Sequence, residues 1–150
     1  MTQVTQVIMS MLGTLGFSLL FHVTGKKLIT IVAGGAVSWI AYLIVVALYE
    51  NPVLGLLVST FVLGLLAEIF ARAFKAPAIS FLVPMLVPLI PGGDLYYTTF
   101  FLVRRMGDAF AQRANLLLWE AGAIAFGIIL AVCVTHIPYK SLTHYLKTKK

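Results

Sequence analysis

The sequence predicts an all-α polytopic membrane protein with five transmembrane helices, the fourth interrupted at Pro91–Gly93. Two features of composition lead to this class: hydrophobic residues make up 61% of the 150 residues and charged residues only 11%. Soluble domains carry about 45–50% apolar and about 25% charged residues. The third feature is that the apolar residues form five long segments, each near the roughly 20 residues that a helix needs to cross a bilayer.

The five segments are predicted to form a single transmembrane domain over residues 1–150. None of them contains lysine or arginine, and each contains at most one acidic residue. The predicted spans are 4–23, 28–49, 53–71, 77–103 and 116–137, and a basic tail at 138–150 follows. The first is expected to be a retained span, because residues 1–6 supply no positive region for a cleavable signal peptide.

The distribution of lysine and arginine predicts the orientation in the membrane. If all five segments cross, one face receives Arg104, Arg105 and Arg113, and the other receives the remaining eight: Lys26, Lys27, Arg72, Lys75, Lys140, Lys147, Lys149 and Lys150. Cytoplasmic loops carry the excess of positive charge. We therefore expect an inner (plasma) membrane protein with its N-terminus outside and its C-terminus in the cytoplasm.

A re-entrant fourth segment would give a less decisive distribution of charge. It would move the three arginines to the cytoplasmic face and the four lysines of the tail to the other, a split of seven against four. The charges therefore favour five crossings. The lysines of the tail are explained as a topology signal, so no nucleic-acid partner is expected.

The fourth segment carries the strongest break signal in the chain. Three prolines, spaced by four and three residues, fall on nearly one helical face: Pro84, Pro88 and Pro91. A proline inside a helix removes a backbone donor and costs ~3 kcal/mol. Gly92 and Gly93 are expected to supply the backbone freedom that a break needs. Asp94 is expected to cap a second half-helix that begins near Leu95.

We expect the break to lie near the middle of the bilayer and to line a hydrated cavity, because bare backbone is tolerated at that depth only there or inside protein. In transporters the positive end of such a half-helix faces an anionic group of the substrate. The predicted substrate-binding residues lie at the break and in the turn after it: Pro91, Gly92, Gly93, Asp94, Tyr96 and Thr98. The alternative is a kinked packing helix whose glycines admit a close neighbour.

Three acidic residues within the predicted spans are candidates for proton coupling: Asp94, Glu68 and Glu120. An ionisable residue inside the membrane is a functional candidate by default. Glu68, however, lies four residues before Arg72, which also fits an ordinary helical ion pair. Glu120, near the predicted outer end of its helix, also fits snorkelling to the surface or pairing with Arg113 or Arg105.

No enzymatic activity, metal site or cofactor is expected. The three histidines, His22, His136 and His144, lie at or beyond the ends of predicted helices, so their spacing does not bring several of them to one carboxylate. Gly93-Asp94 resembles the motif of intramembrane aspartyl proteases, but their acid/base chemistry needs a second membrane aspartate. The only other aspartate, Asp108, is predicted to lie in a basic polar loop.

Small residues at four-residue spacing predict close helix packing: Gly34/Ser38, Gly55/Ser59 and Ala123/Gly127/Ala131. Lipid offers no hydrophobic drive for helix association, so small residues that let backbones approach are used instead. These faces could pack within the chain or against another subunit.

The run PMLVPLIPGGDLY at 84–96, on a small five-span chain, resembles the threonine/serine exporter family. It is specifically similar to the small protein that matches the C-terminal membrane domain of that exporter. The preceding residues APAI at 76–79 and the hydropathy along nearly the whole chain fit the same resemblance.

The resemblance implies that this chain forms one half of an exporter with ten membrane spans. The partner would be a larger membrane subunit that resembles the N-terminal half and carries a polar cytoplasmic extension, which this chain lacks. The substrates would be threonine and serine, with dicarboxylates such as succinate for some split members, and the proton-motive force would drive export. Independently, a broken helix usually has a counterpart in a symmetry-related repeat. This chain shows no second Pro/Gly-interrupted segment, so the counterpart is expected in another polypeptide or in a second copy, as a homo-oligomer.

We therefore expect a subunit of a secondary exporter for small carboxylate-bearing metabolites, above all threonine and serine, with proton coupling. Two alternatives stay open. The chain could be a subunit of a succinate-type dicarboxylate exporter, or a non-transporting scaffold or assembly subunit of a membrane complex.

Overall fold

A computed structural model describes the backbone of residues 2–147 and the side chains of residues 2–135. Within that part of the chain the fold is entirely helical, as predicted, with six α-helices and one short 3-10 helix. These are α1 (Gln3–Leu20), α2 (Lys26–Tyr49), α3 (Pro52–Phe74), α4 (Ile79–Leu86), the 3-10 turn (Val87–Leu89), α5 (Gly92–Val103) and α6 (Gly107–Lys147). Four helices are long and apolar enough to cross a membrane, and α4 with α5 forms a fifth, bent candidate span.

The connections between the first helices are short and have local causes. Glu50 ends α2 in a left-handed conformation, with φ of 52°. The Asn51 side chain then accepts a hydrogen bond of 3.2 Å from the amide of Leu54, which satisfies one of the free amides at the start of α3. Pro52 occupies the first turn of α3, where its missing N–H costs nothing. Adjacent spans are therefore held as antiparallel neighbours.

The start of the last span differs from the prediction. Residues 104–115 were expected to form a loop, but α6 begins at Gly107 and only Arg104–Met106 connect it to α5. The prediction was wrong because hydropathy detects where a helix becomes apolar and not where it begins. Arg113 consequently lies on a helix. The side chains of the predicted basic tail, 138–150, lie outside the described residues.

The predicted small residues pack the helices of this chain against each other. A Cβ atom built on Gly55 of α3 would lie 2.7 Å from Cγ2 of Val46 in α2, and one on Gly127 of α6 would lie 2.6 Å from the carbonyl oxygen of Leu57 in α3. The space beside Gly34 of α2 is similarly occupied by the side chain of Met85 of α4. Backbones approach closely at these positions, and a larger side chain would separate them.

Helices α3 and α6 run in the same direction. Three contacts between them occur in the same order along both helices: Leu57 with Gly127, Gly64 with Ala131, and Arg72 with Thr135. The bent pair α4–α5 therefore carries the chain from the end of α3 back to the level where α3 begins. A re-entrant fourth segment would have reversed this order, so the geometry agrees with five crossings.

The interruption of the fourth span is confirmed, and it lies against the middle of the bundle. Helix α4 packs Phe81 against Phe74 of α3, with ring centroids 5.7 Å apart. In the 3-10 turn, a side-chain carbon of Pro88 lies 4.0 Å from the Cβ position of Gly13, near the midpoint of α1. The chain then bends by 61°. Helix α5 therefore turns away from α1, α2 and α3 and packs chiefly against α6.

Two details of the predicted break are wrong. The unwound residues are Ile90 and Pro91 rather than 91–93, and Gly92 already begins α5. Pro91 occupies the N-cap position, and Asp94 lies in the first turn instead. The cause is that a residue before proline avoids the helical conformation: Ile90 has a ψ of 126°. The break therefore needs no left-handed glycine at position 92 or 93.

The close packing of α3 on α6 leads to a stability prediction. Gly127→Ala should lower the thermal stability, because the added methyl group would meet backbone atoms of Leu57 and Phe61 that cannot move aside. Overpacking of this kind costs about 1–3 kcal/mol. The measurement is the temperature at which the purified protein in detergent loses its monodisperse elution peak.

Gly122→Ala on the same helix is the matched control, because nothing lies within 4 Å of its Cβ position. This control should keep or slightly raise the stability, since alanine favours a helix by about 1 kcal/mol over glycine. Equal melting temperatures of the two variants would contradict the α3–α6 packing.

Candidate functional site at the helix break

The start of α5 leaves backbone donors beside open space. The amide of Gly92 donates to the carbonyl oxygen of Ile90 at 2.7 Å, but the amides of Gly93 and Asp94 have no backbone acceptor in the described part of the chain. A Cβ atom on Gly92 or Gly93 would meet nothing within 4 Å. The helix N-terminus also carries a partial positive charge. This end of α5 is therefore suited to an anionic group.

Asp94 is one half of an ion pair that joins α5 to α6. Its Oδ1 accepts a hydrogen bond of 2.6 Å from Nη1 of Arg113. The Arg113 guanidinium also lies 5.8 Å from the centroid of the Tyr97 ring. The sequence offered Arg113 as a partner for Glu120, but the geometry pairs it with Asp94. The start of α5 thus carries a carboxylate that is paired with a guanidinium.

Glu120 is buried and not at the surface. Only 4% of the residue is exposed, and its Oε2 atom has no hydrogen-bond partner in the described structure. The expectation of snorkelling, or of a pair with Arg113 or Arg105, was wrong because Glu120 lies seven residues before Gly127, on the face of α6 that packs against α3. Glu120 lies seven residues, or about two helical turns, after Arg113, the partner of Asp94, on the same side of α6. These three side chains are called the charge cluster below.

Glu68 belongs to a different part of the molecule. Its carboxylate lies 3.8 Å from the guanidinium of Arg72, as an i,i+4 ion pair, and Arg72 also donates to the carbonyl oxygen of Thr135 at 2.9 Å. The helical ion pair expected from the spacing is confirmed. It sits near the end of α3 and helps to fasten α3 to α6.

The two other predicted side chains on α5 have different surroundings. Thr98 is 9% exposed, and its hydroxyl has no hydrogen-bond partner in the described structure. It lies one turn from Asp94 on the buried face of α5. Tyr96 is 65% exposed and packs on Tyr97 and Phe100. The structure therefore brings Thr98, but not Tyr96, to the same face as the charge cluster.

A cavity of about 430 Å³ lies on the other side of the break. Because α5 bends towards α6, the space beyond the 3-10 turn stays open between α1 and α2. The lining residues come from these three elements and do not include the site residues predicted from sequence: Gln6, Met9, Ser10, Gly13, Trp39, Val87 and Pro88. We call this the break cavity.

Two polar atoms at the break cavity lack partners in the described structure, Oγ of Ser10 and Nε1 of Trp39. Sequence reasoning missed both residues. A signal for one of them existed, because α1 buries Ser10, Thr14 and Ser18 at four-residue spacing. An apolar membrane helix that turns hydroxyl groups inward is recognisable from sequence. The position of Trp39 at the cavity depends on how α1, α2 and the 3-10 turn are assembled, so the sequence contains no comparable signal for it.

Trp39 packs on Tyr42, which lies one turn further along α2, with ring centroids 5.2 Å apart.

A second cavity of about 550 Å³ opens at the other end of α4. His22, Lys26 and Lys27 contribute to its lining, so it carries positive charge. Among the residues whose side chains are described, no three His, Cys, Asp or Glu side chains are grouped so that they could hold a metal ion.

Comparison with known proteins agrees with the resemblance seen in the sequence. Residues 6–134 match the family model described as "Threonine/Serine exporter, ThrE". No curated protein and no solved structure matches the chain. The matched family consists of membrane exporters and is not a family of enzymes. Because the match runs from α1 to the apolar part of α6, the chain belongs to the threonine/serine exporter family.

Proposed function

We propose that the chain is a subunit of a secondary exporter for small carboxylate-bearing metabolites, above all threonine and serine. The observation that carries this proposal is the broken fourth span. Its second half, α5, begins with free backbone amides beside the ion pair of Asp94 and Arg113. Broken helices with this arrangement place substrate sites near the bilayer midplane in transporters. Pro91, Gly92 and Gly93 shape and open the site, and Asp94 and Thr98 supply its polar side chains.

The Asp94–Arg113 pair favours a zwitterion as the substrate. An amino acid can replace the pair without loss of charge balance, because its carboxylate pairs with Arg113 and its ammonium group with Asp94. The free amides of Gly93 and Asp94 add donors for the carboxylate. A dicarboxylate such as succinate would face Asp94 with a second negative charge, and a buried unpaired charge is costly. The arrangement therefore supports an amino acid over the dicarboxylate alternative.

Glu120 is the residue that we assign to proton coupling, together with Asp94. A buried carboxyl with an unpartnered oxygen beside an exchangeable ion pair can carry a proton when the pair is broken by substrate. Glu68 is already paired with Arg72 near the end of α3. Its geometry supports a structural role instead.

The proposed exporter contains a second polypeptide. Helix α5 packs chiefly on α6 and leaves Leu95, Tyr96 and Phe100 exposed, a face that a larger subunit resembling the N-terminal half of the exporter would cover. The alternative is a second copy of this chain. By the distribution of lysine and arginine, the complex lies in the inner (plasma) membrane with this chain's N-terminus outside and its C-terminus in the cytoplasm.

The scaffold alternative makes a different prediction for the break. If Gly92 and Gly93 served only to admit a packing neighbour, that neighbour would belong to another subunit, because within the described chain nothing lies within 4 Å of either Cβ position.

The first functional test is Asp94→Asn. The variant should lower efflux of labelled threonine by about 10- to 100-fold, since a hydrogen bond to a charged group contributes about 1.5–3 kcal/mol. Efflux is measured in cells that also make the partner subunit, after expression and assembly have been verified. Asp108→Asn is the matched control, because Asp108 is an exposed aspartate in the first turn of α6. Full efflux by Asp94→Asn would remove Asp94 from the mechanism.

The second test separates proton coupling from substrate binding. Glu120→Gln should still exchange labelled for unlabelled threonine across the membrane, but it should lose net efflux driven by a proton gradient. The amide cannot release a proton, whereas exchange requires none. Glu68→Gln serves as the control and should retain both activities. Normal gradient-driven efflux by Glu120→Gln would rule out Glu120 as the proton carrier.

A further inference from the structure

Ser10 differs from the other buried hydroxyl groups of the neighbouring helices. Thr14, Ser18 and Ser38 each donate to the carbonyl oxygen four residues earlier, at 2.8, 2.6 and 2.8 Å. Ser10 is 5% exposed, yet its hydroxyl makes no such bond. Buried polar atoms are nearly always paired in native structures, and each exception requires an explanation. The exception here lies in the wall of the break cavity.

Trp39 provides a second unpaired group in the same wall. Its indole N–H can only donate, whereas a serine hydroxyl can both donate and accept. A ligand hydroxyl complements both, because it accepts from Trp39 and exchanges a hydrogen bond with Ser10. A ligand without a hydroxyl would leave both buried groups unpaired, which is costly.

The rest of the break cavity suits a short aliphatic group. Met9, Val87 and Pro88 supply apolar surface, and Gln6 adds an amide that can contact either charged group of an amino acid. The volume of about 430 Å³ lies within the range of small-molecule sites.

We propose that Ser10 and Trp39 form a hydroxyl-recognition subsite of the exporter, in which the side-chain hydroxyl of a small amino acid binds at the break cavity. This inference rests on the proposed function and adds to it two specificity-determining residues outside the charge cluster.

The binding test uses the fluorescence of Trp39 in the purified full-length chain. Trp119 is 64% exposed on α6, so Trp119→Phe leaves Trp39 as the single tryptophan. The probes are L-threonine, L-valine, which has the same shape without the hydroxyl, and succinate. Threonine should change the emission of Trp39 with at least tenfold higher affinity than valine, because a site built to pair a hydroxyl rejects the analogue that lacks it. Succinate should leave the emission unchanged.

Ser10→Ala should abolish the preference for threonine over valine, whereas Ser38→Ala, in which the lost hydroxyl was already paired with Gly34, should keep it. Trp39→Phe should reduce the same preference in a competition assay of threonine efflux against valine, and Trp119→Phe should not.

The outcomes separate this inference from the proposed function. If the wild type neither binds nor exports amino acids, both are wrong. If it exports threonine but the Ser10 and Trp39 variants keep the full preference for threonine over valine, only the subsite is wrong. An emission that responds to acyl chains but not to threonine would identify the cavity as a lipid crevice and would also overturn the subsite.

Discussion

The structure depends on one backbone constraint, the loss of helical hydrogen bonding at Ile90–Pro91 within a membrane span. Proline cannot donate, and the residue before it avoids the helical conformation, so the chain must leave polar groups unpaired. Such groups are tolerated at membrane depth only where protein or water covers them. Here α4 and the 3-10 turn are buried against α1, α2 and α3, while α5 emerges from the bundle with two free amides.

The bend explains why polar groups collect on both of its sides. Towards α6 it brings Asp94 to Arg113, which lies two helical turns before the buried Glu120. Towards α1 it leaves the break cavity, with unpaired polar atoms on Ser10 and Trp39. The chain belongs to the threonine/serine exporter family, and the proposed function assigns both sets of groups to the binding of an amino acid.

Local sequence signals predicted the fold well. The five spans, the break and the Glu68–Arg72 pair all follow from residues close together in the chain. Contacts between distant residues could not be predicted in this way: Arg113 lies nineteen positions from Asp94. The burial of Glu120 was missed because a glutamate near a predicted helix end was expected at the surface, although it shares a helix face with Gly127. The break cavity was missed because it exists only when α1, α2 and the 3-10 turn are assembled.

The most direct measurement is the depth and water accessibility of a spin label at Gly93 in lipid bilayers, in a Cys133→Ser background. Gly93 and Gly122 both have open space at their Cβ positions, so each accepts a label, and Gly122 on the exposed side of α6 is the control. The account predicts that the label at position 93 lies near the bilayer centre and collides with water-soluble nickel complexes, whereas the label at 122 collides with oxygen instead. A label at position 93 that lies among the headgroups, or that nickel cannot reach, would contradict it.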